Sequence, residues 1–214
     1  IGATVAISQY VLPSVLRELR ESFPAFEISV VTEDSRPLMR LLELGEIDLA
    51  LALETPMSDR FKVQKIFEDD LQMAFSPLHP FAKKKKIGLE DLVEERIIFY
   101  SEHSESFRII NEQTARSGIR LKATMQVGSM AAIKEMAKIG MGIGLITPWT
   151  AYDEINTGAL QFRRLPFSEV RRRWSIHWDP RHDTQIIEEV FSGICQNVVE
   201  SQLLRSKAVL KRTA

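Results

Sequence analysis

Thr4, Ser8, Ser35, Ser101, Ser104, Ser106 and Ser129 all fall where apolar strand patterns give way to helical ones. A hydroxyl at such a junction either caps a helix or joins the unpaired N–H groups of the helix start in presenting donors to an anion or small carboxylate. Any one of them reads first as a cap. Their recurrence in two similar stretches of chain points to a ligand. Catalytic chemistry has less support, because His79, His103, His177 and His182 are scattered and none stands at metal-ligand spacing from another His, Cys or carboxylate. Only His103, inside the serine-rich "SEHSES", is placed near the hydroxyls. That turn lacks the flanking glycines of a nucleophile elbow. Asp69 with Asp70, and Glu94 with Glu95, read as solvated pairs at element ends. No catalytic set, metal site or cofactor is expected.

The elements that position these hydroxyls follow from apolar periodicity. "IGATVAI" reads as a strand, Thr4 to Gln9 as a turn, and Val15, Leu16, Leu19 and Phe23 as one face of a helix that has Pro13 in its first turn and ends at Pro24. "EISVV" is a second strand and Ser35 an N-cap. Leu38, Leu41, Leu42 and Leu44 then face inward from a helix stopped by Gly45, and "IDLALAL" is a buried strand. The order repeats with "RIIFY", the serine turn, a helix from Phe107 to Arg116 closed by Gly118, "LKATMQV", Ser129 as N-cap, a helix from Ala131 to Ile139, Gly140, and "GIGLIT". The glycines of "VGSMAAIKEMAKIGMGIGLIT" follow their helix and enter a strand, the reverse of a dinucleotide-binding loop.

Strands alternating with helices in two similar runs predict an α/β protein of two Rossmann-like lobes around one cleft. The chain crosses between lobes at "LQMAFSPLHP" and returns through "RRRWSIHWDP", a two-strand hinge in which Trp174 and Trp178 share a face. Residues 1–72 and 175–204 form the first lobe, 73–174 the second, and 205–214 a polar, flexible tail. The last helix, from "DTQII" with Asp183 near its start, packs on the first lobe.

With 214 residues, 44% hydrophobic and 27% charged, the chain is an ordinary globular one, and no apolar run is long enough to span a bilayer. A net charge of -1 argues against whole-surface attraction to nucleic acid or membrane. The basic runs Lys83 to Lys86 and Arg171 to Arg173 lack interleaved aromatics and read as solvated. Cys195, the one cysteine, lies in the helical apolar pattern of Ile187, Val190, Phe191, Ile194 and Val198, as a buried thiol suited to a reducing compartment. The opening "IGATVAIS" has neither initiator Met nor signal-peptide layout, as expected of a piece of a longer protein.

These residues also carry a family resemblance. Residues 1–51 resemble the start of the effector-binding domain of LysR-type transcriptional regulators in "LP" opening the first helix, "FP" closing it, the serine before the second, and "LELGEIDLA". "SPLHPFA" is similar to the family's crossing, and "VGSMAAIKEMAKIGMGIGLITPW" to its second-lobe helix, so the resemblance runs from Ile1 to about Val199. It implies a type 2 periplasmic-binding-protein-like fold behind an N-terminal winged helix-turn-helix. It also implies a cytoplasmic protein with no membrane partner, in which a small effector, a carboxylate or other anion, sits between the lobes. The whole protein would form a homodimer or homotetramer, bind promoter DNA through the missing domain, and contact RNA polymerase. Carried over, the effector positions are Thr4, Ala6, Ile7 and Ser8 in the first loop, then Ser35, Ser101, His103, Ser104, Ser129 and Met130. Ala6 and Ile7 stand where members that grip sulfate-like anions place polar residues, implying a partly apolar ligand or backbone donors. The dimer would join Val11 to Leu19 with Ile109 to Ala115. A solute receptor serving a transporter is the alternative on a shared fold, and an enzyme lacks convergent acid, base or metal groups.

Overall fold

The structure is a computed structural model describing residues 1–116, 118, 121, 124–167, 170–181 and 185–213, with the side chains of 185–188, 206–207 and 210–213 left aside. His182 and Asp183 lie outside the described residues, as do parts of "LKATMQV". The chain divides into two compact units, residues 1–69 with 172–203 and residues 70–171 with 204–214.

Unit 1 is built on a five-stranded mixed sheet. Strand β1 (Gly2–Ala3) leads into helices α1 (Val5–Tyr10) and α2 (Leu12–Ser22); β2 (Val31–Thr32) leads into α3 (Ser35–Glu43), and β3 (Leu49–Leu53) follows. The sheet is completed by β4 (Lys62–Asp70) and, from the far end of the chain, β10 (Arg171–Trp178), in the order β2-β1-β3-β10-β4. β1 runs parallel to both neighbours, with Ala3 beside Thr32 and Leu51, and β10 is antiparallel to β3. Every residue of β3 is buried, which explains its unbroken "LALAL". Leu38, Met39 and Leu42 of α3 close over it with Ile47, Ala50 and Ala52. Helix α8 (Gln185–Thr213) is helical through the stretch set apart as a tail in the sequence.

Unit 2 repeats the plan. Its sheet has the order β7-β6-β8-β5-β9, from β5 (Gln72–Phe75), β6 (Ile97–Phe99), β7 (Met125–Gln126), β8 (Ile143–Ile146) and β9 (Gln161–Arg164). β6 is parallel to β7 and β8, and β5 is antiparallel to β8 and β9. Helices α4 (Leu89–Val93), α5 (Glu105–Ala115), α6 (Met130–Lys138) and α7 (Tyr152–Asn156) surround it. In both sheets the strand that departs from the parallel trio is a crossing strand, β10 in one and β5 in the other, which makes each sheet mixed.

The repeat extends to the helix ends. Glu46 N–H donates to Leu41 at 2.9 Å and Met141 N–H to Met136 at 3.0 Å, each past a glycine of positive φ, Gly45 (71°) and Gly140 (80°). This is the same left-handed stop in both units. Gly144 then lets β8 pack on α6, since a Cβ there would stand 2.8 Å from the Ile133 side chain.

Several local expectations are corrected. Leu44, expected to face inward, is 71% exposed, and Asp69 and Arg172, expected to be solvated, are buried. Thr4 to Gln9 is not a turn: helix begins at Val5, and α1 is separated from α2 at Val11. Pro13, second residue of α2, lacks an N–H and would clash with the carbonyl four residues earlier in a continuous helix. Ser35 is not the N-cap of α3. Asp34 is, extended at φ -76° and ψ 166°, its Oδ1 accepting from Ser35 N at 2.5 Å. The strands read from "IGATVAI" and "EISVV" shrink to two residues each: the first is cut off by the helix that begins at Val5, and the second is confined to Val31 and Thr32, which pair with it. No helix among the described residues is long and apolar enough to cross a membrane.

Candidate functional site

In unit 1 the parallel register brings the carboxyl ends of β2, β1 and β3 side by side. Thr4 extends the ladder through its N–H to Leu51 (3.2 Å) and then turns into α1 at φ -67° and ψ 160°. Its hydroxyl caps nothing. Thr4 is 8% exposed and its Oγ1, sealed from solvent, has no hydrogen-bond partner. Such an orphaned hydroxyl is a penalty in the folded state. Ser8, one turn on, lies 3.0 Å from the Thr32 hydroxyl and 3.4 Å from the Ala3 carbonyl. Ala6 is half-buried, and Ile7 is fully buried. Ser35, also fully buried, accepts from Leu53 N–H at 3.2 Å and so ties the start of α3 to the end of β3.

Beyond Leu53 the same edge carries residues that the sequence reading passed over. Glu54 Oε1 accepts from Ser175 Oγ at 2.8 Å, and Arg173 stands 3.5 Å from its other oxygen. Thr55 N–H donates to Ser58 Oγ (2.9 Å), which lies 3.0 Å from His177 Nε2, while His177 Nδ1 faces the Ala50 carbonyl at 3.3 Å. The polar "ETP" directly after a buried strand was the available signal. The Ser58–His177 pair is sealed from solvent, and burial holds the imidazole below its ordinary value of 6.5 despite the Ala50 carbonyl and the nearby Glu54 charge. A backbone carbonyl, not a carboxylate, orients the ring, so the pair braces β10 on β3.

In unit 2 the corresponding edge is a set of completed caps. Ser104 accepts from Phe107 N–H at 3.2 Å and donates to the Ser101 carbonyl at 2.7 Å, while Ser101 Oγ accepts from His103 N–H at 3.1 Å. His103 is exposed on this turn. Glu102 N–H is fixed by Gln126 Oε1 at 3.0 Å. Ser129 caps α6, accepting from Ala132 N–H at 3.4 Å, and Met130 packs partly buried against the cluster of Ile98, Ile133 and Ala137. Behind this edge Lys134 donates to the Thr150 carbonyl and to Glu154, both at 3.1 Å, tying α6 to α7. Of the predicted positions, the structure places Thr4, Ala6, Ile7, Ser8 and Ser35 together in unit 1, and Ser101, His103, Ser104, Ser129 and Met130 in unit 2. Among the described residues no group of three or more His, Cys, Asp or Glu could hold a metal ion. The arrangement offers hydroxyls and helix starts, suited to binding an acceptor-rich ligand.

Residues 1–198 match the model of a family described as the LysR substrate binding domain. A "Probable RuBisCO transcriptional regulator" of Cyanidioschyzon merolae is 26% identical over 179 residues, covering 81% of this chain and 59% of that relative's length. The fold is shared with a Corynebacterium glutamicum OxyR C206 mutant (TM-score 0.79, 20% identity, 97% of this chain and 66% of that one). It is shared equally with the cofactor-binding domain of the Cbl transcriptional regulator (TM-score 0.78, 20% identity, 94% and 90%).

Proposed function

Because the chain belongs to the LysR substrate binding domain family, we propose that it is the effector-sensing part of a LysR-type transcriptional regulator. The match over residues 1–198 carries this reading. The ligand is a small carboxylate or other anion, and the orphaned Thr4 hydroxyl supports that choice by offering a buried donor with no protein acceptor. Thr4, Ser8 and the N–H groups of the first turn of α1 form the core of the set in unit 1. Ala6 and Ile7 give it an apolar wall, and Ser35 holds the strand ends in place. Within unit 2 the candidate positions are Ser101, His103, Ser104, Ser129 and Met130. In the whole protein, effector binding shifts a conformational equilibrium that alters how a homodimer or homotetramer engages promoter DNA and RNA polymerase.

A solute receptor for a transporter would use the same fold. The relatives named as transcriptional regulators favour sensing. The test is a thermal-shift screen of the chain against small carboxylates, amino acids, aromatic acids and inorganic anions, repeated with Thr4→Val. A concentration-dependent rise in melting temperature that the substitution removes is the expected result. A rise that Thr4→Val leaves intact would displace the site, and silence across the panel would remove the anion reading.

A further inference from the structure

The net charge of -1 conceals a division between the units. Unit 2 has 18 Lys and Arg side chains against 12 Asp and Glu, a net +6, whereas unit 1 has 10 against 17, a net -7. Four of the 18 fall in residues 205–212 and four are Lys83 to Lys86. Unit 2 taken alone is a basic body, able to attract anionic partners that the whole chain would not. Its densest basic stretch, Lys83 to Lys86, is exposed throughout. Lys84 is drawn to Asp91 at 2.6 Å and lies 5.5 Å from the centre of the Phe81 ring. Lys83, Lys85 and Lys86 pair with no carboxylate among the described residues.

What precedes the lysines is apolar and rigid. Pro77, Leu78 and Pro80 are exposed, and Leu78 leaves 93% of its surface in solvent. Ser76, buried at the foot of this turn, accepts from Leu78 N–H at Oγ (3.3 Å) and from His79 N–H at its carbonyl (2.9 Å). His79 Nδ1 accepts from Phe81 N–H at 3.2 Å, and its ring lies 5.2 Å from Phe75 and 4.8 Å from Phe81. The Ala82 and Lys84 N–H groups close the next turns on the His79 and Phe81 carbonyls, at 2.9 and 3.2 Å. A leucine braced from below in this way cannot collapse onto its own unit. Little freedom remains to be lost when a partner covers it.

We propose that the segment from Pro77 to Lys86 is a docking surface for an acidic segment of a partner protein. An apolar side chain of the partner packs on Pro77, Leu78 and Pro80 while its carboxylates meet Lys83, Lys85 and Lys86. Nucleic acid fits less well: a phosphate backbone has no use for a projecting leucine, and the nearby aromatic rings, Phe75 and Phe81, are buried where bases cannot stack on them.

The test is fluorescence anisotropy of the chain with a labelled peptide of glutamates interrupted by leucine at every fourth position. Beside it stand the same peptide with alanine for leucine, the same with glutamine for glutamate, and a short labelled DNA duplex. Saturable binding of the first peptide, and much weaker binding of the other three probes, is expected. Leu78→Ala should weaken the first peptide about 10-fold, the scale of one buried leucine. Lys83→Ala, Lys85→Ala and Lys86→Ala combined should weaken it about as much, through three partly exposed ion pairs each worth about 2-fold. All these substitutions fall on exposed side chains, so an unchanged melting temperature separates lost contact from lost fold. No saturable binding, a full-affinity Leu78→Ala chain, an alanine peptide as tight as the leucine one, or DNA binding more tightly than the peptide would overturn the assignment. Self-association in sedimentation equilibrium that Leu78→Asp abolishes would give this face to a second copy of the chain instead.

Discussion

The two units share a strand order, a helix stop and serines at helix starts, yet they use their hydroxyls differently. In unit 2 each cap serves its own helix: Ser104 holds Phe107 N–H and Ser129 holds Ala132 N–H. In unit 1 Asp34 takes over capping, Ser35 is turned to a neighbouring strand, and Thr4 is left without a partner. A repeated residue type is therefore not a repeated role. What each hydroxyl can offer a ligand depends on which N–H groups around it are already satisfied.

The buried ion pairs differ in the same manner, and there the largest effect is expected. In unit 1 Arg172 donates from Nε and Nη2 to both oxygens of Asp69 (2.8 and 2.6 Å), and its guanidinium lies 5.0 Å from the Trp174 ring. The pair is at most 7% exposed on either side chain. Asp69→Ala removes the two-oxygen acceptor of a buried cation and should cost about 3–5 kcal/mol in denaturant unfolding. In unit 2 Glu154 is shared by Lys134 and Lys138, at 3.0 and 3.4 Å. Lys134→Met leaves it one partner and should cost about 1–3 kcal/mol. Equal losses would show that the two pairs bear on their units alike.

Next in size are the serines. Ser35→Ala leaves Leu53 N–H buried without an acceptor, a loss of about 1–3 kcal/mol. Ser129→Ala removes a cap whose bond is long, at 3.4 Å, and should lie near the low end of the usual 0.5–2 kcal/mol. Ser35 is accordingly a poor probe of ligand binding, since its loss disturbs the edge it supports. Were Ser129→Ala the more harmful, the contrast between strand tie and helix cap would fail.

Acid separates the units by window. Burial pushes the His177 pKa below 6.5, so the unfolded chain takes up its proton first. Stability from neutral His177 is complete above 6.5 and lost as pH falls through the lower folded value. In unit 2 burial alone would raise Glu154, but the hydrogen bond from Lys134 and the charges of Lys134 and Lys138 outweigh it and hold the carboxyl below 4.5. Its contribution is complete above 4.5 and disappears as pH falls through the folded value. His177→Gln should flatten unfolding free energy only in the upper window, and Glu154→Gln only in the lower, with slopes limited to about 1.4 kcal/mol per pH unit per group.

Legibility in the sequence followed the range of the interaction. The doubled unit was readable because "LALAL" and "GIGLIT" are buried runs, and because Gly45 and Gly140 end helices by a purely local conformation. The cap at Asp34 was not, since Asp and Ser are equally good caps and the choice is made by Leu53 N–H, 18 residues away. Helix α1 was hidden by its length, six residues ahead of a proline-led helix.

The smallest stability effect carries the most about function. Valine has the shape of threonine and the same preference for extended backbone, so Thr4→Val preserves packing at φ -67° and ψ 160° while removing an oxygen that has no partner. Without ligand the substitution should be neutral or raise stability by up to about 1 kcal/mol, because an unsatisfied buried hydroxyl is a penalty in the folded state. A ligand oxygen that accepts from this hydroxyl would reverse the sign, making the variant the weaker of the two only when effector is present. Calorimetric unfolding with and without the effector found in the screen reads both terms. A Thr4→Val chain that loses stability without ligand would mean the hydroxyl is already satisfied, and unit 1 would then resemble unit 2 after all.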